Sequence, residues 1–181
     1  MLNYLIWTAI IVLGAAGILL VYAATRPDDF RISRSVNIKA PPEKIFPLIN
    51  DLRVFNSWNP FAKQDPLIQL TYSGADSGAG AQNAWVGKKA GKGWLEITGG
   101  TGPSIINMAL HMEKPIKADN DIVFQLQPKD GSTDVSWTMS GTQPYIGKVL
   151  STIISMDKMC GRPFEQGLAD LKAIAEKNES V

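Results

Sequence analysis

The first stretch of the chain is almost continuously apolar. Positions 1–25 hold no charged side chain, and positions 2–24 are interrupted by four residues with polar groups: Asn3, Tyr4, Thr8 and Tyr22. A helix that rises about 1.5 Å per residue reaches about 34 Å over this length, against a bilayer hydrocarbon core of about 30 Å. The pattern therefore predicts a transmembrane anchor over residues 1–25.

A cleavable signal peptide is the rival interpretation, because Val21-Tyr22-Ala23 fits a small-residue cleavage site. Signal peptides carry a positive n-region and an apolar core of about 7 to 15 residues, whereas no Lys or Arg precedes this span and its core is longer. A retained anchor fits better. Five cations follow the span: Arg26, Arg31, Arg34, Lys39 and Lys44. The positive-inside rule then places the globular part in the cytoplasm, and export of a folded domain regardless of its charge is the alternative.

After a linker at 26–29, the chain changes to alternation with the period of a strand. Phe30, Ile32, Val36 and Ile38 share one face, and polar residues occupy the other. Arg34 falls on the apolar face, which indicates either a paired guanidinium or a strand end that twists into water, and we favour the second. Pro41 and Pro42 end this strand and start a short helix with Ile45, Phe46, Leu48 and Ile49 on its buried side. Positions 51–58 predict a second short helical segment.

Six further runs of strand length then follow, separated by Gly, Pro, Asp and Asn: 67–73, 81–86, 93–99, 104–112, 121–127 and 134–140. Their consecutive order predicts an antiparallel meander. The last segment has apolar residues at helical spacing: Ile146, Val149, Leu150, Ile153, Ile154, Phe164, Leu168, Leu171 and Ala175. We expect this helix to cover the apolar face of the sheet and to kink at Gly161 and Pro163.

Composition narrows the class of protein. Residues 30–177 make one α+β domain, with a tail at 178–181. All 18 Lys+Arg and 17 Asp+Glu lie after the apolar span without long runs of one sign, which argues against a nucleic-acid partner. The single Cys160 excludes an internal disulfide or a cysteine zinc cluster, and the single His111 excludes a multi-histidine site. No metal and no cofactor are expected.

The element order, one strand, two small helices, six strands and a long terminal helix, is that of the helix-grip fold. Positions 35–51 (SVNIKAPPEKIFPLIND) and 58–61 (WNPF) resemble the opening of the START-like SRPBCC superfamily, in its polyketide cyclase/dehydrase and lipid-transport branch. The segment 157–172, with its run FEQGLADLK, is similar to the terminal helix of that branch. Positions 85–87 and 135–139 lie where its strands are expected. The resemblance covers about 29–177 and does not include the apolar span.

The resemblance implies a seven-stranded curved sheet wrapped around the terminal helix, with an apolar cavity between them for a hydrophobic ligand. The sheet-side candidates are Trp58, Phe61, Tyr72, Trp85, Trp94, Met108, Leu110, Phe124, Trp137 and Met139. The candidates on the helix are Ile153, Met156, Met159 and Phe164. Aromatic and methionine side chains at alternate strand positions are also typical of an ordinary core, so both interpretations stay open.

Candidate catalytic groups are few. Strand parity puts His111 on the face opposite Met108 and Leu110, toward solvent. Glu96 shares a face with Trp94, so it would lie in the cavity as a general acid if Trp94 points inward, where burial raises a carboxyl pKa. It would lie in solvent if Leu95 and Ile97 are the core pair.

The sequence therefore favours a membrane-anchored, non-catalytic protein that binds a hydrophobic small molecule or lipid. A cyclase or hydrolase acting on a hydrophobic substrate is one alternative, which a cavity-facing Glu96 or Arg34 would favour. The other is an accessory subunit of a membrane complex. For that role the small residues Gly14, Ala15, Ala16 and Gly17 would let a partner helix approach closely, although they also suit a helix that faces lipid.

Overall fold

The computed structural model of the protein describes residues 1–153 and 156–177. The helices are α1 (Leu2–Thr25), α2 (Pro42–Asn50), α3 (Leu52–Trp58), α4 (Pro60–Lys63), α5 (Tyr145–Ile153) and α6 (Met156–Glu176). The strands are β1 (Asp29–Ile38), β2 (Gln69–Gly74), β3 (Ala81–Val86), β4 (Lys92–Thr101), β5 (Ile105–Lys114), β6 (Ala118–Lys129) and β7 (Ser132–Thr142). The predicted order of strands and helices is confirmed, with the short helix α4 in addition to the two small helices predicted after the first strand. The predicted tail at 178–181 lies outside the described residues.

The seven strands form one antiparallel sheet in the order β1-β7-β6-β5-β4-β3-β2. The meander of β2 to β7 follows from its short hairpin connections, and β1 adds beside β7, with Asp29 opposite Thr142 and Ile38 opposite Thr133. Helix α6 lies along β1 and β7 on one face of the sheet, which we call the inner face. This α+β arrangement is the helix-grip fold that the sequence predicted.

Two small helices close the inner face from the side. Pro42 starts α2 at a position where its missing N–H is not needed. Asp51 then caps α3, since its carboxylate accepts hydrogen bonds from the backbone N–H groups of Arg53 at 2.8 Å and Val54 at 3.3 Å. Helix α3 therefore begins where Asp51 supplies the cap, whereas α2 begins at Pro42 without a side-chain cap. Helix α3 carries the buried Phe55 and Trp58 onto the sheet.

The core lies between the inner face and α6. Its fully buried side chains alternate along the strands and repeat at helical spacing in α6: Ile97, Ile106, Met108, Phe124, Val135, Trp137, Phe164, Leu168 and Leu171. Complete burial of one such apolar side chain stabilises the fold by about 1.5–3 kcal/mol. This is the face that the alternation in the sequence predicted to be covered.

The two halves of the terminal helical region differ from the prediction. Helix α6 runs through Gly161 and Pro163 without a break, and the described part of α5 covers Tyr145–Ile153. The expected cover by α5 is wrong for its described residues, because Ile146 is 60% and Leu150 is 49% exposed. Helical spacing establishes that a helix has an apolar face, but not what that face contacts. Ile154 lies outside the described residues, as does the side chain of Ile153.

Helix α5 instead packs against the end of α1. The Tyr145 hydroxyl donates to the Leu20 carbonyl at 2.9 Å, and Ala23 in the last turn of α1 is fully buried. The Lys148 ammonium is held 2.5 Å from an Asp28 carboxylate oxygen. The remainder of α1 projects away from the domain. Within its segment 3–25, the most apolar 18-residue window has a mean hydropathy of 2.4, and the segment is long enough to cross a membrane; a signal sequence shares these properties.

Candidate functional site

An aromatic cluster fills the middle of the space between the sheet and α6. Trp58, Phe124, Trp137 and Phe164 are each at most 1% exposed. The rings of Trp137 and Phe164 stack at 4.1 Å between centroids, and Phe124 lies 5.0 Å from Trp137. Trp58 meets Trp137 edge to face at 5.9 Å. The prediction that these four side chains line an open cavity is therefore not met, because their rings occupy the space between sheet and helix themselves.

Met108 and Met139 belong to the same core. Met108 lies opposite Ile97 and Ile122, and Met139 lies opposite Ile32 and Ile122. They are 1% and 6% exposed. Thioether side chains fill irregular gaps of this kind, so both act as packing residues in this conformation.

The inner face is more open toward β2 to β5. Four half-buried apolar side chains point to it there: Tyr72, Trp85, Leu110 and Met112. The pairing register places Tyr72, Asn83, Leu95 and Leu110 in one row across the four strands, and Trp85, Gly93 and Met112 in the next. We call the four half-buried side chains, Tyr72, Trp85, Leu110 and Met112, the inner patch. Three of the four were predicted ligand residues. Met112 was missing from that set, although its strand parity with Met108 and Leu110 was the signal for it.

Hydrogen bonds hold two members of the inner patch in place. The Trp85 indole donates to the Ala90 carbonyl at 3.1 Å, and its ring lies over Gly93, where a Cβ would collide with it. The Tyr72 hydroxyl accepts from Asn56 at 3.1 Å, and the same Asn56 amide donates to Asn83 at 2.8 Å. The patch is thus an ordered apolar surface with a polar edge.

Two buried polar atoms on the inner face have no hydrogen-bond partner within the described structure. They are the Asn120 side-chain oxygen and the Trp137 indole nitrogen. Asn120 is 9% exposed and lies opposite Leu110, directly beside the inner patch. Leaving a buried polar atom unpaired destabilises a fold by about 1–3 kcal/mol. The Asn120 oxygen is therefore a ready acceptor for a donor group at the patch.

Other predicted ligand residues lie elsewhere. Trp94 is on the outer face, because Leu95 and Ile97 are the buried pair of β4, and its ring stacks on His111 at 3.8 Å. Met159 is 54% exposed on α6. Phe61 is 37% exposed and touches Phe164 edge to face at 6.3 Å. Met156 begins α6, and its side chain lies outside the described structure.

The candidate catalytic groups also lie away from the inner face of the sheet. Glu96 is half-exposed on the outer face, between the buried Leu95 and Ile97. His111 is on the outer face as predicted, with its Nδ1 2.6 Å from an Asp119 carboxylate oxygen. It lines an open groove of about 740 Å³ that α5 borders with Tyr145 and Lys148. This arrangement removes the proposed general acid from the apolar interior.

Arg34 is paired and does not twist into water. Its guanidinium donates to Glu165 and to Asp157 on α6, each at 2.7 Å. These hydrogen bonds, that to Glu165 first, raise the pKa of Arg34 above its ordinary value. The guanidinium lies over Gly161, whose missing side chain leaves the room for it. Arg34 therefore joins β1 to α6 and is a structural residue.

Two further titratable groups are shifted by their surroundings. Asp65 is 3% exposed and accepts backbone hydrogen bonds from Ala90 at 3.1 Å and Lys89 at 2.7 Å, which lower its carboxyl pKa. It holds the β3–β4 loop against the start of β2. Burial raises the pKa of the Cys160 thiol to about 11, so the thiol is protonated at neutral pH. Among the described residues, no three His, Cys, Asp or Glu side chains are grouped to hold a metal ion.

The small residues of α1 stay exposed. Around Gly14 and Gly17 a Cβ would meet open space, and Ala15 and Ala16 are exposed as well. The partner helix expected there remains a prediction.

Comparison with known proteins identifies the fold and no family. No protein-family model matches the sequence, and no curated protein sequence matches it. Among solved structures, a protein from Mesorhizobium loti is similar with a TM-score of 0.60 at 16% identity, covering 83% of this chain and 99% of its own. The Aha1 dimer from Colwellia psychrerythraea is similar with a TM-score of 0.59 at 17% identity, and the match covers 83% of this chain and 98% of that one. Ara h 8.0201 is similar with a TM-score of 0.55 at 12% identity, and the match covers 83% of this chain and 99% of that one. These similarities show the fold alone, which is that of a helix-grip domain.

Proposed function

We propose that this chain is a membrane-anchored protein that binds a hydrophobic small molecule or lipid on the inner face of its sheet, without changing it chemically. The observation that carries the proposal is the inner patch. Tyr72, Trp85 and Leu110 are half-buried and pack against the core. The half-buried Met112 lies in the same row of the sheet as Trp85. Ligand sites of this kind combine an apolar surface with a few placed polar groups, and the unpaired Asn120 oxygen supplies one.

The position of α5 supports the same proposal. The described part of α5 packs on α1, and Leu110 and Met112 stay half-buried on the inner face. Apolar surface at the patch is therefore available to a ligand. Contact with a ligand would remove this surface from water, with a gain of about 25 cal/mol for each Å² buried.

The membrane anchor in this proposal is α1. Its apolar segment 3–25 is unburied in its most hydrophobic window, and a surface of this kind is stable in lipid and not in water. The cations Arg26 and Arg31 just after it favour a cytoplasmic domain. A tether of this kind raises the local concentration of the binding site beside ligands that partition into the bilayer.

Ligand binding is tested with a matched pair of substitutions in β5. The full chain is extracted in mild detergent, and molecules that it retains are identified by native mass spectrometry. Leu110→Trp fills the inner patch, whereas Ala109→Trp adds the same ring on the outer face. We expect a retained hydrophobe in the wild type and in Ala109→Trp, and at least a roughly tenfold loss in Leu110→Trp, equivalent to about 1.4 kcal/mol.

Two results would contradict the binding proposal. One is a wild-type chain that retains no hydrophobe after extraction. The other is an equal loss in both tryptophan variants, which would place the ligand away from the inner patch.

Anchoring is tested separately by the intact mass of the mature chain in the membrane fraction after alkaline extraction. A retained anchor leaves residues 1–25 in place and the chain in the pellet. A mass that begins near Ala24 would show a cleaved signal peptide and overturn this part of the proposal. Protease digestion of right-side-out and inverted membrane vesicles then reports the side on which the domain lies.

A further inference from the structure

One end of the domain differs from the other in charge. The end from which α1 leaves holds the start of β1 and the loops β3–β4 and β5–β6, and we call it the base. Positions 87–93 of the first loop carry Lys88, Lys89 and Lys92 with no acidic residue, and the second loop adds Lys114 and Lys117. At the opposite end, the loops 75–80 and 102–104 carry one charge, that of Asp76, and the β6–β7 turn carries Asp130 next to Lys129.

The two basal loops lie side by side. A Cβ at Gly91 would collide with the carbonyl of Lys114 and approach Pro115 at 3.3 Å. Lys92 pairs with Glu113 at 2.6 Å, while Lys88, Lys89, Lys114 and Lys117 are exposed and make no ion pair within the described structure. The sheet thus gathers four unpaired lysines on one surface.

Exposed apolar side chains lie on elements at the same end of the domain. Ile146 and Leu150 of α5 are 60% and 49% exposed. Leu67 and Val86 flank the β3–β4 loop, which Asp65 holds in place, and are 70% and 51% exposed. The groove that Tyr145 and Lys148 line also includes Lys117, so α5 and the second basal loop are neighbours.

The geometry points to the base as a docking surface for an anionic lipid bilayer, through Lys88, Lys89, Lys114, Lys117, Ile146 and Leu150. This inference rests on the proposed anchoring by α1. A bilayer crossed by α1 must begin near Tyr22, at the level where Tyr145 bonds to the Leu20 carbonyl. Helix α5 then lies at the lipid interface with its apolar residues toward the acyl chains, and the lysines face the headgroups.

Docking in this orientation deepens the proposed function. Trp85 and Met112 occupy the row of the inner face next to the basal loops. The inner patch therefore opens toward the lipid surface, and a membrane-soluble ligand would reach it without crossing bulk water.

The experiment measures lysine reactivity in the full chain reconstituted into two kinds of vesicle, phosphatidylcholine alone and phosphatidylcholine with phosphatidylserine. A water-soluble amine reagent modifies exposed lysines, and mass spectrometry reports the rate at each site. We expect Lys88, Lys89 and Lys117 to react about fivefold more slowly in the anionic vesicles. Lys39 and Lys129, at the far end, should react equally in both, and high salt should remove the difference.

A matched pair of charge variants identifies the cause. Lys88→Gln with Lys89→Gln should remove most of the protection of Lys117, whereas Lys39→Gln with Lys129→Gln removes the same charge and should leave it unchanged. Equal reactivity of the basal lysines in both vesicles, with the chain still in the vesicle fraction after alkaline extraction, would overturn docking and leave anchoring intact. Loss of the chain from the vesicles would overturn the anchor itself.

Discussion

Helices α5 and α6 are consecutive, amphipathic and similar in sequence pattern, yet their apolar faces have different surroundings. In α6, Leu168 and Leu171 are at most 1% exposed beneath β1 and β7. In α5, Ile146 and Leu150 are about half exposed and the helix rests on α1. The apolar face of α6 therefore completes the globular core, whereas the apolar face of α5 stays exposed outside that core.

The apolar faces of α5 and α6 have different surroundings because α6 alone already covers the length of β1 on the inner face of the sheet. Helix α6 of 21 residues is about 32 Å long at about 1.5 Å per residue, which is enough to follow β1 along its whole length. Ion pairs from Asp157 and Glu165 of α6 to Arg34 of β1 hold α6 in this position. Helix α5 contacts the end of α1, where Lys148 forms an ion pair with Asp28.

The largest expected effect is a difference in the free energy of unfolding between a substitution in α6 and one in α5. Leu168→Ala should lower the free energy of unfolding by about 2–5 kcal/mol, because it removes buried methyl groups and leaves a cavity. Leu150→Ala should change it by no more than about 0.5 kcal/mol, since its side chain is half exposed. Urea unfolding of both full-length variants in the same detergent, followed by tryptophan fluorescence, measures the difference. Equal losses would mean that α5 contributes to the core as α6 does.

A smaller effect is expected at Asp65, which ties the basal loop to the sheet. Its folded pKa is lowered by the N–H groups of Ala90 and Lys89, so its contribution to stability is present above the unfolded carboxyl pKa of about 3.9 and is lost as pH falls through the lower folded value. Asp65→Asn should therefore be less stable than the wild type at pH near 7, and the gap should narrow below about pH 4.

Urea midpoints of both proteins across that pH range check the Asp65 prediction. Asp76→Asn, in the opposite loops, is the control and should follow the wild type. A gap that stays constant with pH would assign the effect to packing and not to the carboxylate.

The smallest change is expected at Gly161, where α6 meets β1. An added Cβ would displace the flexible end of Arg34, while Ala favours a helix over Gly by about 1 kcal/mol. The two effects oppose each other, so Gly161→Ala should shift the unfolding midpoint little. Its salt dependence should fall, because the displaced guanidinium loses Asp157 and Glu165. An unchanged salt dependence would show that Arg34 keeps its ion pairs.

Much of the fold was predictable because local signals agree with it. Alternation in β5 to β7 located the buried residues Met108, Phe124 and Trp137. The cover by α5 was not predictable, since a periodic stripe identifies an apolar face but carries no information about its partner. Arg34 was misjudged for a related reason, because its acidic partners lie more than 120 residues along the chain.

The candidate site was predictable in part. Tyr72, Trp85 and Leu110 were selected by residue type and parity, and they lie on the open part of the inner face. Trp58, Phe124, Trp137 and Phe164 were selected by the same criteria, but they pack on one another. Residue type cannot tell an open apolar surface from a packed core. The difference depends on how closely α3 and α6 approach the sheet at each position. Parity in β4 was ambiguous because Trp94 and Leu95 are both large and apolar.

Three residues separate the end of α1 from the start of β1, and an extended chain covers about 3.3–3.6 Å per residue. The bond from Tyr145 to Leu20 and the ion pair from Lys148 to Asp28 shorten even that reach. With α1 held in a bilayer, the domain would stay within a few ångströms of one leaflet. If the proposed anchoring and binding hold, the domain would take up its ligand at the membrane surface and would not carry it away, so an acceptor of the ligand would have to come to the same membrane.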